Sequence, residues 1–446
     1  MPSELFSNQV PTRFLHVTVG KGSGKGTVAD PFHSIQAAVN AATPGTAIIV
    51  HDGVYKENVK ISHHDSGTAS APIWLISGDG PQAATIQAAN SGKPVIQALG
   101  VDNYVIQGFA LQGGYDGVQF SQSGRDFSNL VKNVLIKGNV ITDVAHDGIK
   151  IGQADNVQIL DNTIARVKGE EGIDLVSVYD VLIARNEISE VGGSSAAIVA
   201  KGGSRNVMIT DNHIHDVVGD GISAGGNTSA SSFRPGTLGL EARNVDIIGN
   251  RVEDVGKRPV SVRGAQDVDI VDNYLESSAR YGNAVYVTHG SQSGKKVATN
   301  DVLVSDNIVA DTKSVLKIDA GNNNKIVQSG NGTGTWSDDV GPDTVPVPRW
   351  ASTATHLDEL GPLDALYDEA DESMSIGLDE EAELGADGVS HQDDLLELYA
   401  LGQDMSDNGD LAAELPMLDP YLEFGALGMS DKLTMFSGVE GTSHIV

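Results

Sequence analysis

Lys150, Asp174, Lys201 and Arg263 stand at matching places in a repeated five-residue segment. Lys150 and Asp174 take the fourth position of Asp147-Gly-Ile-Lys-Ile151 and Glu171-Gly-Ile-Asp-Leu175. Lys201 and Arg263 come directly after Ala196-Ala-Ile-Val-Ala200 and Arg258-Pro-Val-Ser-Val262. In an extended chain of period two these positions share one face. Such a ridge, with Tyr286 near it, suits an anionic sugar chain. A neutral amine there can take the C5 proton of a uronate, while a guanidinium holds the carboxylate as charge develops. Lys201 and Arg263 are the candidate catalytic pair. Lys201 would need a lowered pKa, with Arg263 or Arg234 beside it as the cause. As an exposed strand lysine it would contribute little to folding.

A row of acids opens the same segments: Asp116, Asp147, Glu171 and Asp220. Calcium takes clustered carboxylates, which makes Asp147, Glu171 and Asp220 candidate ligands and Ca2+ the candidate cofactor. Asp-Gly and Glu-Gly pairs are also ordinary turn chemistry. His146, His213, His215 and His289 read as scattered over different repeats, with no zinc spacing. The chain has no cysteine, so thiolate chemistry is excluded.

These side chains need a scaffold, and the repeats describe it. Eight segments alternate in the same way, from Asp116-Gly-Val-Gln-Phe120 to Ser314-Val-Leu-Lys-Ile318. Their third and fifth residues are apolar and face a core; the fourth faces out. A second phrase recurs seven times, as in Asn156-Val-Gln-Ile-Leu-Asp-Asn162. Its seventh residue is always Asn: Asn139, Asn162, Asn186, Asn212, Asn250, Asn273 and Asn307. Short periods with alternating apolar residues mean one supersecondary unit stacked on itself. The repeated Asn predicts an amide ladder along the stack, with the Asn itself at a left-handed bend.

Two steps are long. Asn212 to Asn250 spans 38 residues and Asn273 to Asn307 spans 34, against 23 for the shortest. The extra residues leave the charged face and would wall a groove, bringing Arg234, His289, Lys295 and Lys296 to it. Lys150, Asp174, Arg234, Tyr286 and His289 are the candidate substrate-binding residues. Near the start, Phe32–Ala42 places Ile35, Ala38, Val39 and Ala42 on one helical face. This helix is the candidate cap for an open solenoid end.

The opening Ser34-Ile-Gln-Ala-Ala-Val-Asn-Ala-Ala with Pro44-Gly45 and Gly53-Val-Tyr-Lys-Glu57, followed by the coils, resembles right-handed parallel β-helix proteins of the pectate-lyase-like superfamily. The resemblance covers about residues 15–335. It implies an all-β fold, a right-handed parallel β-helix with an N-terminal capping helix. Residues 171–226 are similar to polygalacturonases, but Ser195, Ala196 and Asp220 replace that family's two aspartates and histidine. Inverting hydrolysis needs an acid and a base carboxyl, so this activity is not expected. Ala197–Asn212 resembles the lysine-bearing strand of the chondroitinase B and alginate lyase family, which points to Lys201. The family's arginine site falls on Gly225, and Arg263 lies one coil further on.

The net charge is −31. Residues 351–446 hold 23 Asp/Glu and one lysine, Lys432, giving −22, so the first 350 carry −9. That balance disfavours nucleic acid as a partner. Expected boundaries are a β-helix domain at 1–340, a proline-rich linker at 341–350 and an acidic tail at 351–446 of low order. The tail is a candidate export signal of the type I kind or a segment binding a protein partner. Met1–Gly20 show no basic and apolar signal pattern, and no run suits a membrane span. The expected function is lyase or C5-epimerase action on an acidic polysaccharide, outside the cell or at its surface. The alternatives are a non-catalytic glycan-binding or surface structural solenoid, and a cytoplasmic scaffold whose tail binds a protein.

Overall fold

The computed structural model describes residues 3–124, 127–278, 280–319 and 325–335. The expected linker and acidic tail lie outside these residues. Three parallel sheets run the length of the described chain. The first has twelve strands, from Arg13–Val17 to Ile326–Ser329. The second has eleven, from Gly53–Lys56 to Gly332–Thr333. The third has ten, from Val59–Ser62 to Ser314–Ile318.

One coil shows the plan. Ala154–Leu160 lies in the first sheet, Thr163–Val167 in the second and Ile173–Val176 in the third. Each pairs in parallel with its counterpart one coil on. Val157, Ile159, Ile164, Ile173 and Leu175 from this coil are fully buried in one continuous core. The eight segments expected in the third sheet are there, joined by Val59–Ser62 and Ile96–Leu99. The second sheet is an addition to the sequence reading. Several of its strands are two or three residues long, such as Val140–Thr142 and Arg251–Val252. Alternation needs more length than that to be visible.

The asparagine ladder is present. Each Nδ2 donates to the Oδ1 of the Asn one coil on, from Asn139 to Asn162 at 3.0 Å through Asn273 to Asn307 at 2.9 Å. An eighth rung, Asn331, accepts from Asn307 at 3.0 Å. The same oxygens accept a backbone N–H, and each Nδ2 also reaches a carbonyl one coil back. Burial of these amides is tolerable because every polar atom finds a partner. The left-handed residue is the one before the Asn: Asp161, Arg185, Asp211 and Asp272 have φ of 56, 56, 55 and 55°. The ladder Asn is therefore held by its side chain, while its predecessor makes the bend. A shorter ladder joins the first-position residues, as in Asn156 to Asn133 at 2.7 Å and Asn206 to Asp180 at 2.7 Å.

The capping helix is Ile35–Ala41, shorter than the apolar pattern alone predicts. Ser34 starts it, accepting the Ala37 N–H at 3.4 Å. Glu57 closes the exposed N-terminus by accepting from Ser34 Oγ and the N–H groups of Ile35 and Gln36 at 2.9–3.0 Å. Ile35, Ala38 and Val39 are buried in the core.

The first sheet also has an apolar outer face. Trp74, Leu135, Leu160, Leu182 and Met208 form a second cluster, with Leu5 and Phe6 packed on it. The Leu5 N–H donates to Gln158 Oε1 at 2.9 Å, and Gln158 Nε2 donates to the Ser3 carbonyl at 2.9 Å. Glu4 pairs with Lys137 at 2.8 Å.

Candidate functional site

The outward row of the third sheet runs in register through Gln119, Lys150, Asp174, Val199, Ser223, Ser261, Tyr286 and Lys317. Lys201 lies opposite Val176, and Arg263 lies between Gly225 and Thr288. Parallel pairing at ~4.8 Å per strand thus brings the sequence-predicted ridge together.

The charges on it are buried and interlocked. Lys150 Nζ lies 2.9 Å from Asp147 Oδ2 and 3.3 Å from Asp174 Oδ2. Lys201 Nζ lies 3.0 Å from Glu171 Oε1 and 3.1 Å from Asp174 Oδ1. His146 Nδ1 lies 3.0 Å from Asp147 Oδ2 and 3.3 Å from Asp116 Oδ1. Ser195 Oγ donates to Glu171 Oε1 at 2.7 Å. Asp147, Asp174, Glu171 and Lys150 are all buried, whereas the Lys201 side chain keeps 17% exposure.

This environment sets the protonation states. Burial works against the Lys201 charge, but Asp174 and Glu171 outweigh it and raise its pKa above the ordinary lysine value. A lysine base needs the opposite shift. Arg263 and Arg234, expected to depress it, are engaged elsewhere. Burial pushes the Glu171 carboxyl up to about 8, with Lys201 pulling the other way. His146 is raised to about 10: burial opposes the shift, and the bonds to Asp116 and Asp147 drive it. Asp147 is lowered despite burial, because Lys150 and His146 face it.

The acid row also does structural duty. Asp116 Oδ1 accepts the Asp147 N–H at 3.1 Å, and Asp147 Oδ1 accepts the Glu171 N–H at 2.9 Å. The glycines that follow are sterically required. A Cβ on Gly148 would sit 2.5 Å from the Gly172 carbonyl oxygen, and one on Gly172 2.7 Å from Ile188 Cγ2. Of the expected calcium ligands, Asp147 and Glu171 do converge, with Asp174 as the third: one oxygen from each lies within 4.8 Å of the others. Asp220 instead pairs with Arg263 Nη2 at 2.5 Å. Lys150 and Lys201 already sit on oxygens of all three acids, so the donor set does not fit a calcium ion without displacing them.

Arg263 also donates to Ser261 Oγ at 3.2 Å. At position 225, where the resemblance read from the sequence would put an arginine, the backbone admits no side chain. Gly225 has φ +88°, and a Cβ there would lie 2.0 Å from the Arg263 carbonyl oxygen. Tyr286 lies under the Arg258 guanidinium, 3.9 Å from ring centroid to carbon, and its hydroxyl donates to Asp319. That bond holds the Asp319 carboxyl below its ordinary pKa, and His289 is half-buried nearby. Arg234 is not in the groove. It clamps the corner between the third and first sheets, bonded to Asp155 at 2.7 Å and Ser177 O at 3.0 Å, over the Tyr179 ring.

The two insertions pair with each other. Asn227–Thr228 from the first and Gly290–Gln292 from the second run parallel, and Lys295–Val297 completes a three-stranded side sheet. Lys295 and Lys296 are exposed on that hairpin. Buried Glu241 fixes the first insertion, accepting from Gly202 N–H, Thr228 N–H and Thr228 Oγ1. Gly226 passes directly over Lys201, where a Cβ would lie 3.3 Å from the lysine Cβ.

Sequence reasoning missed His146 and Ser195. A signal existed: His146 precedes Asp147, and Lys150 lies three residues on. The histidine reading needs a second correction, since His213 and His215 share one strand, His213–Val217.

The family described as a right handed beta helix region matches residues 76–238. With the three parallel sheets, this makes the described chain a right-handed parallel β-helix. A pectate lyase of Emericella nidulans is 34% identical over 84 residues, 19% of this chain and 20% of that protein. The match spans about a fifth of that relative's length. A lacto-N-biosidase from Eubacterium ramulus superposes with a TM-score of 0.52 and 13% identity, over 72% of this chain and 68% of its own. An alginate lyase from Paenibacillus sp. gives 0.41 and 17%, over 72% and 95%. At these identities the structural likeness is one of fold. Among the described residues, no helix is long and apolar enough to cross a membrane.

Proposed function

We propose that the protein is carbohydrate-active and works on an acidic polysaccharide by removing the C5 proton of a uronate, as a lyase or C5-epimerase. The observation that supports this most is the buried cluster of Lys150, Asp174, Lys201, Glu171, Asp147 and His146 on an outward sheet face. Buried ion pairs seldom improve stability over apolar packing. The first sheet covers its own outer face with Leu135, Leu182 and Met208. A costly charged patch confined to the middle coils of the other sheet is a functional candidate.

The roles differ from those read off the sequence. Lys201 is the cation that meets the uronate carboxylate, since it is protonated and partly exposed. Glu171 is the base, because a carboxylate with a pKa near 8 holds a proton far better than an ordinary one. A substrate carboxylate competes for the Lys201 ammonium. Glu171 then loses its cationic partner and its proton affinity rises. The C5–H electron pair moves into the carboxylate, which Lys201 steadies. In elimination, C4=C5 forms as the C4–O bond breaks, its electron pair leaving on the oxygen, which takes a proton from water; in epimerisation, Glu171 keeps the proton it removed and a proton from water adds to C5 on the opposite face. Arg263 and Tyr286 would contact neighbouring sugars. No step runs through calcium.

The test is a panel of polyuronates, followed by the absorbance of the conjugated alkene and by proton exchange at C5. Turnover should rise as pH passes about 8. Glu171→Gln should abolish it while oligosaccharide binding persists. Undiminished turnover in Glu171→Gln would sink the assignment of the base. The mutual compensation of the cluster charges favours a second reading, a non-catalytic glycan-binding solenoid, which would show binding with no product. Export and a protein partner are separate proposals that rest on residues 351–446.

A further inference from the structure

We propose that Glu187, His213 and His215 form a zinc site on the outer face of the second sheet, remote in role from the charge cluster and independent of it. His213 and His215 alternate on the strand His213–Val217, so both imidazoles leave the same face. Glu187 opens the neighbouring strand and stands in register with His213. One donor atom from each of the three lies within 4.8 Å of the other two. His215 Nε2 is 3.5 Å from Glu187 Oε1. Tetrahedral zinc with bonds of about 2.0–2.1 Å needs ligand atoms roughly 3.3–3.5 Å apart, so small side-chain shifts suffice. Two imidazoles and a carboxylate suit zinc, whereas calcium prefers oxygen alone.

Neighbouring groups support the three ligands. Asp216 Oδ2 lies 2.7 Å from His215 Nδ1, which leaves Nε2 turned toward Glu187. A carboxylate on the far nitrogen is the usual partner of a metal-binding histidine. Glu253, on the following coil, lies 2.9 Å from His213 Nε2 and is held by Arg251 at 2.8 Å. It is available as a fourth ligand or as a partner to His213. The backbone beneath is rigid. Glu187 and His213 each follow a ladder asparagine, and the His213 N–H donates to the Asn186 carbonyl at 2.9 Å. Sites built on strands hold their geometry better than sites on loops. The exposed Glu187 side chain, at 55%, gives the ion a way in. A bound ion would join two successive coils.

The test titrates the full-length chain with zinc chloride against a chromophoric chelator and repeats the titration with cobalt(II). The expected result is one specific site, with the strong visible bands of tetrahedral cobalt. His213→Ala and His215→Ala should each weaken it at least about 100-fold, and Asp216→Asn by about 10–100-fold, as for other supporting groups. Zinc should raise the thermal midpoint of the parent chain and leave that of His213→Ala unmoved. Equal zinc affinity in the parent and in a His213→Ala/His215→Ala double variant would overturn the proposal, because the ion would then bind elsewhere. So would a parent chain that binds zinc no better than millimolar.

Discussion

Asn186 gives both its side-chain amide and its backbone N–H to a single oxygen, Oδ1 of Asn212, each at 3.0 Å. Its own Oδ1 accepts the same pair of bonds from Asn162. Asn186→Ala therefore leaves the Asn162 N–H without its acceptor, and takes one of two partners from Asn162 Nδ2 on the coil below and from Asn212 Oδ1 on the coil above. The expected loss is about 1–3 kcal/mol per unsatisfied buried group. Urea unfolding of Asn186→Ala and Asn212→Ala measures it. Unchanged midpoints in both would remove the ladder from the stability account.

Lys201 now carries a stability prediction opposite to the one its strand position suggests. Removing it leaves Glu171 and Asp174 buried without their shared cation. Lys201→Ala should cost about 3–5 kcal/mol, as breaking a buried pair does. A loss below about 0.5 kcal/mol, the usual range for a plain surface change, would mean the contacts do not hold in solution.

Stability should fall as pH rises from the mildly acidic range through neutrality to the alkaline. Glu171 has its folded pKa raised from 4.5 to about 8, so its contribution is full below 4.5 and is lost as pH climbs through 8. His146, raised from 6.5 to about 10, contributes fully below 6.5 and loses that as pH climbs through 10. Asp147 is shifted the other way and matters only below 3.8. Thermal midpoints measured from pH 5 to 10 should decline. Glu171→Gln should flatten the part below 8, and His146→Asn the part above it.

Calcium should leave the parent midpoint unchanged, because Lys150, Lys201 and His146 already occupy the oxygens of Asp147, Glu171 and Asp174. In Lys201→Ala the three carboxylates become open to a divalent cation, and calcium should restore part of the lost stability. Strong stabilisation of the parent by calcium, removed by EGTA, would revive the calcium site read from the sequence.

Removing residues 1–9 uncovers the apolar patch of Trp74, Leu135, Leu160 and Leu182 that Leu5 and Phe6 cover. The shortened chain should lose roughly 1–3 kcal/mol, the scale of burying one or two large apolar side chains, and should bind a hydrophobic dye. A dye signal equal to that of the full chain would show that the segment does not rest there.

Long alternating segments made two of the three sheets legible, and the invariant seventh residue made the ladder legible. Six of the eleven strands of the second sheet are two or three residues long, too short for alternation to mark them. The ridge of Lys150, Asp174, Lys201 and Arg263 followed from register alone. Its electrostatics did not, because Asp147 and Glu171 sit at turns and only the folded coil bends their carboxylates onto the lysines. Arg234 was misplaced for a related reason. Loop length says where an insertion leaves the scaffold, and Asp155 and Tyr179 decide where it comes to rest. His213 and His215 were hidden by reading histidines coil by coil instead of two apart along one strand.

The spacing between asparagine rungs is indifferent to the chain that joins them. Asn212 and Asn250 are 38 residues apart and meet at 2.9 Å; Asn250 and Asn273 are 23 apart and meet at 3.0 Å. Such a ladder has no preferred number of rungs and tolerates any detour between them. Gene-level change in this protein is then quantised. A whole turn can be duplicated or deleted and every surviving rung keeps the same kind of partner, and a detour can lengthen freely, but a gain or loss of one residue inside a strand shifts the asparagine off the line and should be purged.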